Sequence, residues 1–446
     1  MNRQDDLTKR GLESLWYPMR QHHGSDAAPP RQFVSGDGVY LTDVEGQRVL
    51  DGIAGIWCVN VGYGREELAD VAREQMARLP YLPGTFTNAP AAALAGKLTE
   101  MLDYASKVYF TNSGSEANEA AFKVARQYHA QNGSPGRYKF IARYRGYHGN
   151  TLGALSATGQ AERKLGYEPL APGFIHIDAP DPYRITHDCA DQLERAIERE
   201  GPDTVAGFIM EPIIAGGGVL VPPDDYLPRV REICSRHGVL LILDEVVTGF
   251  GRTGTSFAHK SAGVEPDILT LGKGIASGYQ PLAAMVAKQG VFEAFSGEAD
   301  GLHHFRHINT YGGHPVATAV ALRNIEILER EHLIEKAAKT GDALISRLRR
   351  LEDHPNVGEV RGRGLLIGIE LVEDKQSRVP IASAGTAAVV ARCARDGVLV
   401  GRTANTTPGF DNVVVVAPPF VLDEEEADIL ASAIETAIKE ELPSDG

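Results

Sequence analysis

The chain has 446 residues, 43% hydrophobic and 23% charged, with a formal net charge of −14. This is the composition of an ordinary globular enzyme, and no apolar run approaches the ~20 residues of a membrane span. The acidic excess repels phosphate backbones, so neither nucleic acid nor a membrane is an expected partner. The start, Met-Asn-Arg-Gln-Asp-Asp, has no apolar stretch behind it of the kind that secretory leaders carry. Cys58, Cys189, Cys234 and Cys393 are far apart with no C-x-x-C, which argues against metal knuckles and disulfides and for reduced thiols in a cytoplasm.

The first ~30 residues are polar and read as an irregular lead-in. Gly38–Asp43 and Gln47–Asp51 read as short strands around a turn at Glu45-Gly46. From about residue 66, strand-length apolar runs alternate with helix-length segments. The runs are Lys107–Thr111, Tyr138–Ala142, Phe174–Ile177, Val205–Met210, Val239–Leu243, Asp267–Leu271 and Leu282–Val286. Glu116–Ala130, Ala190–Glu200 and Tyr226–His237 have helical patterns between them. This alternation predicts a mostly parallel α/β sheet covered by helices on both faces. Val316–Arg330 and Leu333–Leu351 follow as helices. The tail predicts strands near Val360, at Leu365–Leu371, Val398–Val400 and Val413–Val416, a helix near 383–395 and a last helix from Asp423. The expected division is a segment 1–65 contributing to a small domain, a large domain 66–325 and a small α+β domain 326–446.

Ligands of open parallel sheets bind beyond the carboxyl ends of the strands. Five of the predicted strands run into chemically suggestive residues: Asn112-Ser-Gly-Ser-Glu-Ala-Asn118, Tyr147-His-Gly149, Glu211-Pro212, Asp244-Glu-Val246 and Gly272-Lys-Gly274. Each has an ordinary reading when taken singly. Lys273 could be a turn lysine, Asp244 a cap or ion-pair partner, Ser115 a helix N-cap, and Tyr147 core packing. Together they supply an amine able to condense with an aldehyde, an acid for a ring nitrogen, a stacking ring and a helix start for a phosphate. Those are the needs of pyridoxal phosphate.

The chain resembles the class III aminotransferases, pyridoxal-phosphate enzymes of fold type I. The resemblance rests on Ser113–Glu119, Tyr147–Gly149, Met210–Pro212, Leu243–Gly254, Leu271–Gly274 with Gly278, and Thr310–Pro315. It implies that Lys273 carries the cofactor covalently and later shuttles the proton. Asp244 would hold the pyridinium, with Glu211 supporting the site beneath it. Val246 and Tyr147 would pack on the two ring faces. Gly114 and Ser115 would bind the phosphate, with Thr310 reaching in from the partner subunit of a homodimer or larger homo-oligomer. Trp57 resembles the pocket aromatic of ω-amino-acid:pyruvate transaminases. Those enzymes usually place an arginine directly after the strand that matches Val398–Val400; here Gly401 comes first and Arg402 second, ahead of a loop 403–412. That departure resembles the taurine:pyruvate branch. The expected reaction is transfer from a small ω-amino acid or aminosulfonate to pyruvate, with Arg402 as candidate anion anchor. A 2-oxoglutarate-dependent or dialkylglycine-type decarboxylating enzyme shares the same cofactor frame.

Two other classes compete. Gly249–Gly254 matches G-x-G-x-x-G, but a dinucleotide site needs a helix opening at the third glycine, and the residues after Gly254 show little helical periodicity. His303, His304, His307 and His314 could suggest a metal hydrolase, but there is no H-E-x-x-H and 309–313 would break a helix, so no metal is expected.

Overall fold

The structure is a computed structural model and describes residues 3–20, 22, 30–298 and 301–442. Three short strands open the fold: β1 (Phe33–Asp37), β2 (Tyr40–Asp43) and β3 (Arg48–Asp51). The main sheet follows, with β4 (Ser106–Thr111), β5 (Lys139–Arg143), β6 (Phe174–Ile177), β7 (Val205–Met210), β8 (Leu240–Asp244), β9 (Ile268–Leu271) and β10 (Ala283–Lys288). Its order is β4-β10-β9-β8-β7-β5-β6. β10 pairs antiparallel with both β4 and β9, and the remaining pairs are parallel. Six strands therefore share one direction, and all five suggestive strand ends lie on one edge. This is the expected α/β sheet. Every residue of β7, β8 and β9 is buried, as strands covered on both faces must be.

The C-terminal part adds β11 (Val357–Arg363), β12 (Leu366–Leu371), β13 (Val398–Leu399), β14 (Gly401–Arg402) and β15 (Val413–Val416). The strand expected at Val398–Val400 ends at Leu399, and an unexpected two-residue strand follows it in another sheet. β13 pairs in parallel with β3, whereas β14 pairs antiparallel with β15 in the sheet β11-β12-β15-β14. The chain changes sheets at Val400, and a Cβ on Gly401 would stand 2.9 Å from Ile53 Cδ1, so the crossing is tight enough to favour glycine.

Several expectations need correction. The lead-in contains a helix, Arg3–Ser14, which its polar composition hid; the expected irregular stretch at 23–29 lies outside the described residues. Helices Glu66–Arg78 and Ala89–Leu102 and strand β1 fall where no pattern stood out. The helix expected to reach Leu351 ends at Leu348 and tightens into a 3₁₀ turn, Arg349–Asp353. Helix Pro315–Arg330 runs unbroken through the expected 325/326 boundary. The last helix, Glu424–Glu441, starts where expected because Asp423 and Glu426 form a reciprocal capping box. Among the described residues, no helix is long and apolar enough to cross a membrane.

Candidate active site

The central strand, β8, ends in Asp244, which is only 4% exposed. A carboxylate so placed needs hydrogen bonds to offset its lost hydration. Asp244 Oδ2 accepts from Asn118 Nδ2 at 2.9 Å and lies 2.9 Å from His148 Nδ1; Oδ1 accepts from the Val246 amide at 3.1 Å. Asn118 sits on helix Gly114–Gln131, on the face that buries Ala117, Ala120 and Ala121 against the sheet. Its own Oδ1 accepts from Thr270 Oγ1 at 2.8 Å, and β8–β9 register sets Thr270 directly beside Asp244. The amide is therefore fixed in the orientation that points its N–H at the carboxylate.

His148 follows β5. Its backbone N–H donates to Thr158 Oγ1 at 2.9 Å, and its carbonyl accepts from Asn118 Nδ2 at 2.6 Å. Glu211, at the end of β7, is buried beside the same turn. It accepts from the Tyr147 amide at 2.9 Å and the Ala215 amide at 3.1 Å. Burial pushes the Glu211 carboxyl up, and the Asp244 charge adds to this against the opposing influence of His148. Glu211 thus shapes the Tyr147-His148 turn from behind.

The helix start is capped by Ser113, so the ordinary reading of Ser115 as the cap does not hold: Ser113 Oγ accepts from the Glu116 amide at 3.2 Å. This leaves Ser115 to pair with Asn150, donating to its Oδ1 at 3.0 Å and accepting from its amide at 3.1 Å. The amides of Gly114 and Ser115 have no carbonyl within the helix to bond, the usual basis for anion binding at a helix start. Val246 touches this helix start. A Cβ on Gly114 would lie 2.9 Å from Val246 Cγ2, and one on Gly272 would lie 3.1 Å from Val246 Cγ1. Only glycines let the helix start and the strand end before Lys273 close around Val246.

Lys273 follows β9 with φ +44°, the left-handed region that a non-glycine residue enters only at a cost. Its Nζ stands 5.9 Å from the Trp57 ring centroid and has no hydrogen-bond or ion-pair partner among the described residues. Trp57 also has positive φ, +60°, and packs beside the Ile213–Val219 turn. A Cβ on Gly216 would be 4.0 Å from both Trp57 and Tyr147 Cβ, so these two rings flank one wall.

The structure thus brings together Asp244, Val246, Gly114, Ser115, Tyr147, Glu211, Lys273 and Trp57. Two expected site residues make other contacts within one chain. Thr310 is exposed, and its carbonyl accepts from Tyr81 OH at 3.1 Å. Arg402 Nη1 donates to Ser383 Oγ at 3.1 Å. Asn118, His148 and Thr270 were not singled out. The sequence held one signal for Asn118: it is a polar residue on the alanine-rich face of a helix. After Gly254 comes only the one-turn helix Ala258–Ser261, so Gly249–Gly254 does not open a dinucleotide-type helix. His307 lies 3.0 Å from Lys123 Nζ and packs against Tyr109 and Phe305.

Residues 22–438 match the family described as aminotransferase class-III, and the chain belongs to that family. It is therefore an aminotransferase of fold type I. It is 50% identical to a Bacillus subtilis (strain 168) protein named "Uncharacterized aminotransferase YhxA", over 97% of this chain and 96% of that one. It is 42% identical to the taurine–pyruvate aminotransferase of Bilophila wadsworthia, again over 97% of this chain and 96% of the other. The solved ω-transaminase from Pseudomonas jessenii, in complex with PMP, is 35% identical with a TM-score of 0.92, each chain covered to 98%.

Removing one of the hydrogen bonds that orient Asp244 is expected to slow catalysis without dismantling the site. Asn118→Ala and His148→Phe should each lower kcat about tenfold to a hundredfold, the kinetic equivalent of about 1.5–3 kcal/mol. His148→Gln, which can still donate, should recover part of the loss. Steady-state kinetics beside a thermal melt check this, because purely structural damage would lower Tm and would not be relieved by glutamine.

Proposed function

We propose that the chain binds pyridoxal phosphate and transfers the amino group of a small ω-amino acid or aminosulfonate, of taurine or β-alanine type, to pyruvate by a ping-pong mechanism. The observation that carries this is the convergence on one sheet edge of a lysine with no hydrogen-bond or ion-pair partner among the described residues, a pinned buried carboxylate and an anion-ready helix start. When bound, the cofactor supplies an aldehyde to take up the amine and a protonated pyridine ring to receive electrons. Lys273 would hold the cofactor and, once freed by the donor amine, carry the proton between donor carbon and cofactor. Asp244, kept in place by Asn118 and His148, would keep the ring nitrogen protonated. Gly114 and Ser115 would donate to the phosphate, Val246 and Tyr147 would cover the ring faces, and Glu211 would support the Tyr147 turn. Trp57 would form a wall of the donor pocket.

Pyruvate and an aminosulfonate are favoured by the likeness to the taurine–pyruvate aminotransferase. A panel of taurine, β-alanine and dialkylglycine donors against pyruvate and 2-oxoglutarate separates this reading from 2-oxoglutarate-dependent and decarboxylating enzymes. The cysteines are all free, which supports a cytoplasmic setting. We keep the three-part division of the chain, with the second boundary set at the end of helix Pro315–Arg330.

A homodimer with shared sites is the remaining part of the proposal. Around Thr310 lies an exposed apolar face: Phe86 is 68%, Ile308 63% and Tyr311 58% exposed. Phe86 and Ile308 also line a cleft of about 670 Å³ along β4. Such a patch fits burial against a second copy. In that assembly Thr310 would serve the partner's phosphate site.

The purified protein should be yellow, and borohydride should bleach it. Peptide mass spectrometry should then find the reduced adduct on Lys273; an adduct on Lys123, Lys139 or another lysine would refute the assignment. Thr310→Ala and Lys273→Ala homodimers should each be impaired. After subunit exchange, one site of the heterodimer carries both lesions and the other neither, so activity should return. No recovery despite proven exchange would place Thr310 and Lys273 in the same site from one chain.

A further inference from the structure

The transaminase reading leaves open which cation receives the anion of a taurine-like or β-alanine-like donor. Arg402 is the position suggested by the chain order, but its guanidinium is directed to Ser383 Oγ, at the start of helix Ser383–Arg395. Arg145 and Arg184 are also nearby, and both are already committed: Arg145 pairs with Asp181 at 2.6 Å, and Arg184 pairs with Glu370.

Arg163 is placed differently. It ends a 3₁₀ turn, Ala161–Arg163, that follows the buried Gln160. Its guanidinium carbon lies 5.5 Å from the Tyr147 ring centroid. Tyr147 and Trp57 flank Gly216, and Trp57 faces the Lys273 amine. Lys273, Trp57, Tyr147 and Arg163 therefore follow one another around a single wall, with the amine at one end and the guanidinium at the other. A donor with an amino group at one end and an oxyanion at the other matches that order of groups.

The partners of Arg163 point the same way. Nε donates to Gln160 Oε1 at 3.3 Å, and Nη1 is 3.4 Å from the Met19 sulfur. Both are neutral, the thioether is among the weakest acceptors a protein offers, and Arg163 has no carboxylate ion pair among the described residues. An incoming sulfonate or carboxylate would exchange a thioether for a charge-assisted hydrogen bond. The 403–412 loop that follows Arg402 is tied to the same turn, since the Glu162 amide donates to the Thr406 carbonyl at 3.0 Å. Asp411 of that loop makes no ion pair with Arg163 among the described residues, and its Oδ1 is buried without a hydrogen-bond partner.

We propose that Arg163, rather than Arg402, binds the distal oxyanion of the donor. This rests on the reading of the chain as a transaminase of ω-amino acids or aminosulfonates. The test uses the holoenzyme and its R163Q, R163K and R402Q variants. The donor half-reaction is followed with taurine, β-alanine and propylamine, which lacks the anion. Binding of isethionate, an anion with no amine, is measured separately by calorimetry. In R163Q the ratio of kcat/KM for β-alanine to that for propylamine should fall at least thirtyfold, about 2 kcal/mol of lost binding. The taurine ratio should fall likewise, and isethionate should bind at least tenfold more weakly. R163K should restore part of each loss, and R402Q should move each ratio far less than R163Q. A larger loss in R402Q than in R163Q overturns the proposal. So does an equal loss on all three amines that R163K does not relieve, or isethionate binding that R163Q leaves unchanged. If the wild type accepts propylamine but neither taurine nor β-alanine, the donor reading fails, while isethionate binding still judges Arg163.

Discussion

The arrangement depends on one buried carboxylate. Asp244 ends a strand whose five residues are all buried, and its charge is tolerable only while its hydrogen bonds hold. That requirement reaches outward. Asn118 must present its amide N–H, which Thr270 secures by occupying the carbonyl oxygen. His148 must come in from the turn after β5, which Thr158 and Glu211 hold through the backbone. Parts of β5, β7, β8, β9 and the Gly114 helix are thus fixed relative to a single carboxylate. The edge that would take the cofactor is rigid for the same reason.

A second set of buried charges joins the C-terminal sheet to this edge. Glu370 on β12 pairs with Arg361 at 2.6 Å and with Arg184, and it accepts from Asn412 at 3.0 Å. Burial alone would raise the Glu370 carboxyl, but Arg361, Arg184 and Arg145 outweigh it and hold it down at about 2. A carboxyl held that low contributes stability that is full above its unfolded-state pKa and is lost progressively as pH falls from there through about 2, so this junction keeps its charges at neutral pH. Phe410 of the 403–412 loop lies 4.6 Å from the Arg145 guanidinium and 5.5 Å from that of Arg184. The loop is consequently fastened at Phe410 and Asn412 on one side and, through the Glu162 amide on the Thr406 carbonyl, at Thr406 on the other. Arg252 also gathers separate segments: fully buried and without a carboxylate ion pair among the described residues, it donates hydrogen bonds to Asn60, Leu365 and Pro418.

Much of the sheet was legible because its strands are uniformly apolar and end in chemically distinctive residues. Val205–Met210, Phe174–Ile177 and Val413–Val416 were read to the residue for that reason. The first helix and Glu66–Arg78 were not, because partly exposed helices owe their stability to tertiary packing that a polar sequence does not advertise. Lys273, Asp244 and the Ser113–Glu119 segment could be found because each follows a strand. Asn118 and His148 lay inside quoted motifs without a role, since what they do depends on a register and a turn geometry that no local pattern records. Ser115 read as a cap on paper, but the backbone is extended at Ser113, which makes Ser113 the cap. Arg163 lies in a short 3₁₀ turn with no periodicity, so its position over Tyr147 emerges only in three dimensions. The short strand Gly401–Arg402 was hidden because glycine and arginine carry no strand pattern, and pairing with β15 is what extends them.

The central claim is that Asp244 is held in place to keep the cofactor's ring nitrogen protonated. The most direct measurement is the single-turnover rate of the donor half-reaction in Asp244→Asn, taken beside the absorbance of bound cofactor and a thermal melt. The substitution keeps the side chain's size but removes the charge that stabilises a protonated ring. The account predicts a fall of a hundredfold or more with cofactor still bound and folding preserved. A fall of less than tenfold, worth about 1.4 kcal/mol, would contradict it.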